Sequence, residues 1–506
     1  MSTKAVIVWL FLAVVLGIAV VLLVLRPEGV LAPVQPGQSV AVGTRLLEFS
    51  PGDVRRITVE SFSDGLLQTI EPAPKGKGPF GADADWLLRT QPISGSHSAS
   101  RPAEPWPLES ARIQGLLRLL AEVRAVAPAS GDATLGNKPT RVTIQLREAT
   151  STWTLAERTL GGTGLVEIAG PGPGARRAVV RDDLHRVFND PGPRAWRSTF
   201  PLAGITPDAS RVRLDSLSHH LAVSKIDGKW NLIEPAAAPG DPAAIQSLIA
   251  ELGRVQIVDF FDVPSEASAA EVDTPTATIR IEADRRTIEA SEPEPTVSTD
   301  SVELTIGGAA GSASPTAPPR VFGSINHQRP VLLDGRSVGI TVDPAAYVWP
   351  APLRETPANI GGFSLTLVGD ANPGASGRAF RRFGTRWVQT LAGGDEAPVS
   401  DSERRGVEEV LAFLTGERGA SPRDSQPGAR PTITFAAPEE SRAIGSLRVD
   451  GLSGASIESL EILTVGDDRV CVRTGSVWRT YGPGTVPALL SSAAEVARRA
   501  TPPPTR

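Results

Sequence analysis

The side chains able to do chemistry in this chain are few: five histidines, one cysteine and a handful of adjacent acid pairs among 506 residues. His97, His185, His219, His220 and His327 stand at no metal-ligand spacing. His219-His220 reads as part of a strand, where neighbours face opposite sides and cannot readily grip one ion. His185 follows Asp182-Asp183. The two acids read as the cap and dipole partners of a short helix, with a catalytic Asp–His pair as the competing reading. The doublets Glu439-Glu440 and Asp467-Asp468 fall in turns and read as solvated acids, not as an acid/base pair of which burial keeps one protonated. Cys471, between Val470 and Val472, reads as a buried, inert thiol, and a lone cysteine excludes an intramolecular disulfide framework. Gly161-Gly162-Thr163-Gly164 reads as a hairpin connection; neither a phosphate-binding Gly-x-x-x-x-Gly-Lys-[Ser/Thr] nor a Gly-x-Ser-x-Gly elbow occurs. These residues predict no catalytic set, no metal site and no cofactor.

The elements that would have to position any site repeat three times. Ser50-Pro51, Thr206-Pro207 and Thr356-Pro357 each open a turn that leads into an alternating strand. A tryptophan strand follows each, beginning at Trp86, Trp230 and Trp387. Then comes a helix with an apolar stripe at i, i+3, i+4 and i+7. The stripes are Ile113, Leu116, Leu117, Leu120; Ile245, Leu248, Ile249, Leu252; and Val407, Val410, Leu411, Leu414. Asp241-Pro242 and Ser400-Asp401-Ser402-Glu403 carry helix-start signals. The ordered triple, recurring about every 150 residues, predicts duplication. Trp86, Trp230, Trp387, Leu117, Ile249 and Leu411 are expected to be shared core anchors, with an aromatic ligand platform as the other reading of the tryptophans.

Strand-like runs separated by turn signals follow each helix. The expected fold class is therefore α+β: tandem repeated units with mostly antiparallel sheets and one main amphipathic helix per unit. The 49 glycines and 45 prolines read as loop insertions on that scaffold. The expected boundaries are 45–197, 198–350 and 351–500, the last divergent, with a tail at 501–506.

Residues 5–25, AVIVWLFLAVVLGIAVVLLVL, contain no charge. At about 1.5 Å per residue such a helix matches a hydrocarbon core of roughly 30 Å. The run is longer than a signal-peptide core and lacks a close Ala-x-Ala, so an uncleaved N-terminal transmembrane helix is expected. Lys4 places residues 1–4 in the cytoplasm, and 26–44 would be a linker to an extracytoplasmic, periplasmic bulk.

The segments LLEFSPGDVRRITVE (46–60), RAVVRDDLHRVFNDP (177–191) and GKWNLIEPAAAPGDPAAIQSLIAELGRVQ (228–256), behind a single span, resemble the DUF4340 family. These are bacterial, membrane-anchored proteins of undefined biochemical function. The resemblance implies an extracytoplasmic accessory role beside ABC-type transport systems of the gliding-motility kind, and brings no catalytic residues with it.

A charge balance of 51 Lys+Arg against 56 Asp+Glu, net -5, excludes the basic footprint of nucleic-acid binding. Arginine doublets (Arg55-Arg56, Arg176-Arg177, Arg285-Arg286, Arg381-Arg382, Arg404-Arg405) are interleaved with acids and read as a solubilising surface, or as contacts for an anionic lipid or glycan. The expectation is a non-catalytic scaffold subunit of an ABC-type transport or surface-assembly complex. The alternative is an anchored glycan-, peptidoglycan- or lipid-binding module; a cell-envelope hydrolase comes third.

Overall fold

The computed structural model describes residues 38–73, 86–93, 105–169, 175–189, 192–261, 275–287, 296–310, 318–327, 330–340, 343–368, 378–391, 394–416, 430–466 and 469–492. The expected span at 5–25, His97, Asp467-Asp468 and the 501–506 tail lie outside them. No helix among the described residues is long and apolar enough to cross a membrane.

The first repeat contains β1 (Gln38–Ser39), β2 (Val54–Ser61), β3 (Leu66–Pro72), β4 (Trp86–Pro92), β5 (Trp106–Pro107), helix α1 (Ser110–Glu122), β6 (Ala127–Pro128), β7 (Thr140–Leu146), β8 (Thr150–Leu160), β9 (Thr163–Ala169), β10 (Arg176–Arg181) and helix α2 (Asp183–Asn189). The second runs β11 (Ala209–Ser216), β12 (His220–Ile226), β13 (Lys229–Glu234), β14 (Ala238–Pro239), α3 (Pro242–Leu252), β15 (Ile257–Phe260), β16 (Ala277–Thr287), β17 (Thr296–Ala310), β18 (Arg320–Ile325), β19 (Pro330–Asp334) and α4 (Gly335–Val338). The third runs β20 (Ile360–Leu367), β21 (Arg378–Phe383), β22 (Arg386–Thr390), β23 (Glu396–Pro398), α5 (Asp401–Thr415), β24 (Thr432–Thr434), β25 (Ser441–Gly451), β26 (Ser456–Val465), β27 (Arg469–Thr474) and β28 (Val477–Tyr481).

The sheet orders are β5-β4-β3-β2-β7-β8-β9-β10, with β1 and β6 both on β10; β14-β13-β12-β11-β16-β17-β18-β19-β15; and β23-β22-β21-β20-β25-β26-β27-β28-β24. These are one topology three times. Four strands meander to one edge, a helix carries the chain back to the far edge, and four more meander outward from beside the first strand to meet that edge. Every pairing is antiparallel except that of β1 with β10.

Each recurring sequence feature has a fixed place in this topology. The hydroxyl-proline turns are 3-10 turns, Pro51–Asp53, Thr206–Asp208 and Pro357–Asn359, where proline's fixed φ suits the first position. The tryptophan carbonyl of each repeat accepts a hydrogen bond from the residue just before the helix cap. These donors are Leu108 to Trp86 (3.0 Å), Gly240 to Trp230 (3.0 Å) and Val399 to Trp387 (3.4 Å). The helix start is thereby fixed to the edge of the sheet. The stripes are buried as their spacing requires, except that Ile249 is only half-buried. Burying each such side chain contributes about 1.5–3 kcal/mol. Trp86 and Trp387 are half-buried against the first and third cores, while Trp230, Leu117 and Leu411 are buried.

Residues 38–72 and 86–197 form one compact unit, and residues from 198 onward form a second that holds both later repeats. Three expectations need correction. The first repeat begins before residue 45: β1 joins the sheet, Val40 is in the core, and Val40 N donates to Arg177 O. A Pro/Gly-rich stretch offered no strand periodicity, so the parallel pairing was invisible. The Gly/Pro content does not mark loops everywhere: strand β17 extends the alternating Val302, Leu304 and Ile306 on both sides, through 296–301 and Gly307-Gly308, where such alternation is lacking. His219 lies in a turn, with only His220 starting β12; the turn is closed by Ser216 Oγ, which accepts from His219 N and donates to His219 O.

Candidate functional site

Within the second compact unit, the second repeat brings its three signature elements together around one groove of about 430 Å³. Thr206-Pro207 from the turn, Trp230 from β13, and Gln246, Ile249, Ala250 and Gly253 from α3 form its floor and one wall. Lys225 on β12 and Arg254 just beyond α3 reach it from two sides, and both are exposed. Neither pairs with a carboxylate among the described residues.

Helix α3 is held here by its cap. Asp241 is buried, and its Oδ1 accepts from Ala243 N at 2.9 Å and Ala244 N at 3.4 Å. Asp241 N donates to Tyr347 O at 2.8 Å, and Trp349 N donates to Pro239 O at 2.8 Å. The last segment of the repeat is thus bridged to the edge beside β14, with Val348 opposite Gly240. In the third repeat Ser400 and Glu403 form a reciprocal capping box on α5, as the sequence predicts.

A second groove, of about 450 Å³, is lined by His219, His220, Pro235, Asp343, Pro344, Ile433 and Phe435 among others. Beside it His220 Nδ1 lies 2.9 Å from Asp215 Oδ1, and Arg213 Nε lies 2.7 Å from Asp215 Oδ2. Burial acts to raise the Asp215 carboxyl, but the hydrogen bonds from Arg213 and His220 bring it below its ordinary range. Arg213 Nη1 also reaches Glu234 at 3.2 Å. No hydroxyl or thiol hydrogen-bonds to His220 among the described residues.

His185 is not paired with its neighbouring acids. Asp182 Oδ1 takes Arg186 Nη2 at 2.6 Å, and Asp183 faces Arg181 at 3.7 Å. The imidazole is buried against Gly164, and its Nε2–H donates to Leu165 O at 3.1 Å, while Nδ1 has no partner. Burial pushes its pKa down and keeps it neutral. Cys471 is fully buried and burial raises its thiol, which makes it unreactive.

Two of the arginine doublets, through Arg56 and Arg177, and the single arginines Arg89 and Arg473 join cross-strand pairs. Glu71 receives Arg56 at 3.3 Å and Arg89 at 2.9 Å, Arg177 meets Glu167 at 2.8 Å, and Arg473 meets Glu461 at 3.1 Å. Apart from the half-buried Arg177–Glu167 pair, these are largely exposed and contribute little to stability.

No group of three His, Cys, Asp or Glu among the described residues could hold a metal ion. Sequence reasoning missed Arg479, which is fully buried on β28 and donates to Trp349 O. It also missed a proline two residues before every cap: Pro107 before Glu109, Pro239 before Asp241 and Pro398 before Ser400. Aligning the three repeats on their helix stripes would have exposed that proline.

No protein-family model, no curated protein and no solved structure matches the chain. The likeness to the DUF4340 family therefore rests on the quoted segments alone.

Proposed function

We propose that the protein is a single-pass, membrane-anchored extracytoplasmic scaffold, an accessory subunit of an ABC-type transport or surface-assembly complex. The observation that supports this most directly is the threefold recurrence of one topology, with the crossover helix anchored in the same way each time. Tandem copies of a unit that completes its own core multiply exposed surface without requiring a new fold for each contact. The uncharged run at 5–25 supplies the anchor in this reading. The open sheet faces, carrying Arg–Glu ladders, suit polar, reversible contact with a partner more than permanent burial.

The test is affinity purification of the tagged full-length chain from mildly crosslinked, detergent-solubilised membranes. The expected result is carbonate-resistant membrane association and co-recovery of an ATPase and a permease subunit. Recovery of the protein alone, or its release by carbonate, overturns the proposal.

A further inference from the structure

The three repeats can be compared position by position around the groove at α3, because their helix stripes align Ile113 with Ile245 and Val407. At the site of Gln246 the first repeat has Gln114 and the third Glu408. At the site of Ala250 they have Arg118 and Ala412, and at the site of Arg254 they have Glu122 and Gly416. Lys225, paired in register with Trp230, corresponds to Pro72 opposite Trp86 and to Arg382 opposite Trp387. Arg382 is committed to protein carbonyls, donating to Gly384 O at 2.9 Å and Pro357 O at 3.4 Å. Only the second repeat therefore combines two uncommitted cations, a neutral amide and a small residue in the middle of the wall.

Eleven residues line this groove, and none is an acid. At the end of α3, Gly253 N donates to Ile249 O, Arg254 N to Glu251 O and Val255 N to Leu252 O. Trp230, Ile249, Ala203 and Pro207 give it an apolar floor and rim. A bare inorganic anion would leave that apolar surface unused, and a purely apolar ligand would strip water from Lys225 and Arg254 without return. A volume of about 430 Å³ lies within the range of small-molecule sites and suits a body of one or two sugar rings. Sugar C–H faces match the apolar floor, Gln246 and Thr206 match hydroxyls, and the two cations match an acid group.

We infer that this groove binds an anionic saccharide, a sugar bearing a carboxylate or a phosphate. The inference is independent of the anchoring reading, because it concerns one repeat and is read on the solubilised chain.

The test is calorimetric titration of the full chain in detergent micelles with glucuronate, glucose 6-phosphate, glucose and inorganic phosphate. Saturable binding of either sugar anion is expected, with glucose and inorganic phosphate at least about tenfold weaker. The preferred anion separates a carboxylate source from a phosphate source. Lys225→Ala should weaken binding about tenfold, and Arg254→Glu, which installs the first repeat's residue, should abolish it. Both positions are exposed, so circular dichroism should show unchanged folding. Equal binding of glucose or of inorganic phosphate, affinity unchanged by Arg254→Glu, or no binding of either sugar anion at about 50 mM, a range where only negligible affinity remains, overturns the inference.

Discussion

Arg479 and Trp349 are joined by a bond that a proline makes available. In an antiparallel hydrogen-bonded pair, two residues exchange both of their backbone bonds. Trp349 N donates to Pro239 O at 2.8 Å, but Pro239 has no N–H to return. Trp349 O instead accepts from Arg479 Nη2 at 3.0 Å and Nε at 3.4 Å. A buried guanidinium from the third repeat thus completes a backbone ladder in the second. Two further bonds secure the same connection: Arg354 Nη1 donates to Trp230 O at 2.6 Å, and Thr474 Oγ1 to Pro352 O at 3.3 Å.

Arg479→Ala should destabilise the second compact unit by about 3–5 kcal/mol, since it leaves Trp349 O unpaired and opens a cavity. Arg479→Met should cost less, because a buried charge without a carboxylate partner is itself expensive. In a Pro239→Ala background, Arg479→Met should cost about 1 kcal/mol less than alone, the restored N–H taking over Trp349 O. Urea unfolding of the four chains measures this coupling. Strict additivity would show that the proline and arginine are unrelated.

Asp241→Ala should cost about 1–2 kcal/mol and Asp241→Asn much less, because the asparagine oxygen can still cap α3. Ser400→Ala should fall in the same range for α5. Thermal melts read both. Equal losses for Ala and Asn at position 241 would point to its charge instead of its cap.

The first compact unit should lose stability in mild acid through His185. Its pKa is lowered in the folded chain, so below its ordinary value of 6.5 the unfolded chain binds a proton that the folded chain does not. Stability is complete above about pH 6.5 and falls as pH drops from there toward the lowered folded value. His185→Gln should flatten this dependence at some cost in packing. Denaturant midpoints between about pH 5 and 7.5, followed by a probe in the first unit, test the sign.

Gly164→Ala should destabilise the same unit by about 1–3 kcal/mol, because a Cβ there would collide with the His185 ring. Pairing it with His185→Ala should recover part of that loss. Failure of the second change to help would place the strain in the β9 backbone.

Much of this scaffold is legible because its signals are local. A stripe such as Val407, Val410, Leu411 and Leu414 must face something apolar, and the turn before β11 announces itself through Thr206-Pro207. Sheet order is not local: nothing near Thr432 shows that β24 pairs with β28 across the whole second meander. Arg479 was hidden for a related reason. Alternation in VWRTY places Arg479 in phase with Val477 and Tyr481, but a charge between them argues for solvent unless its distant acceptor is known. The groove was half legible. Trp230 and Ile249 stood out as anchors, while Lys225 and Arg254 gained meaning only once the fold placed them on one concavity.

The pairing of Gln38 and Ser39 with Arg176 and Arg177 also sets a leash length. On the anchored reading, only residues 26–37 separate the span from the first folded strand. Twelve residues reach at most about 40 Å when fully stretched. The first repeat would then be confined to a shallow zone beside the bilayer, and any partner it meets must present its contact surface within that zone.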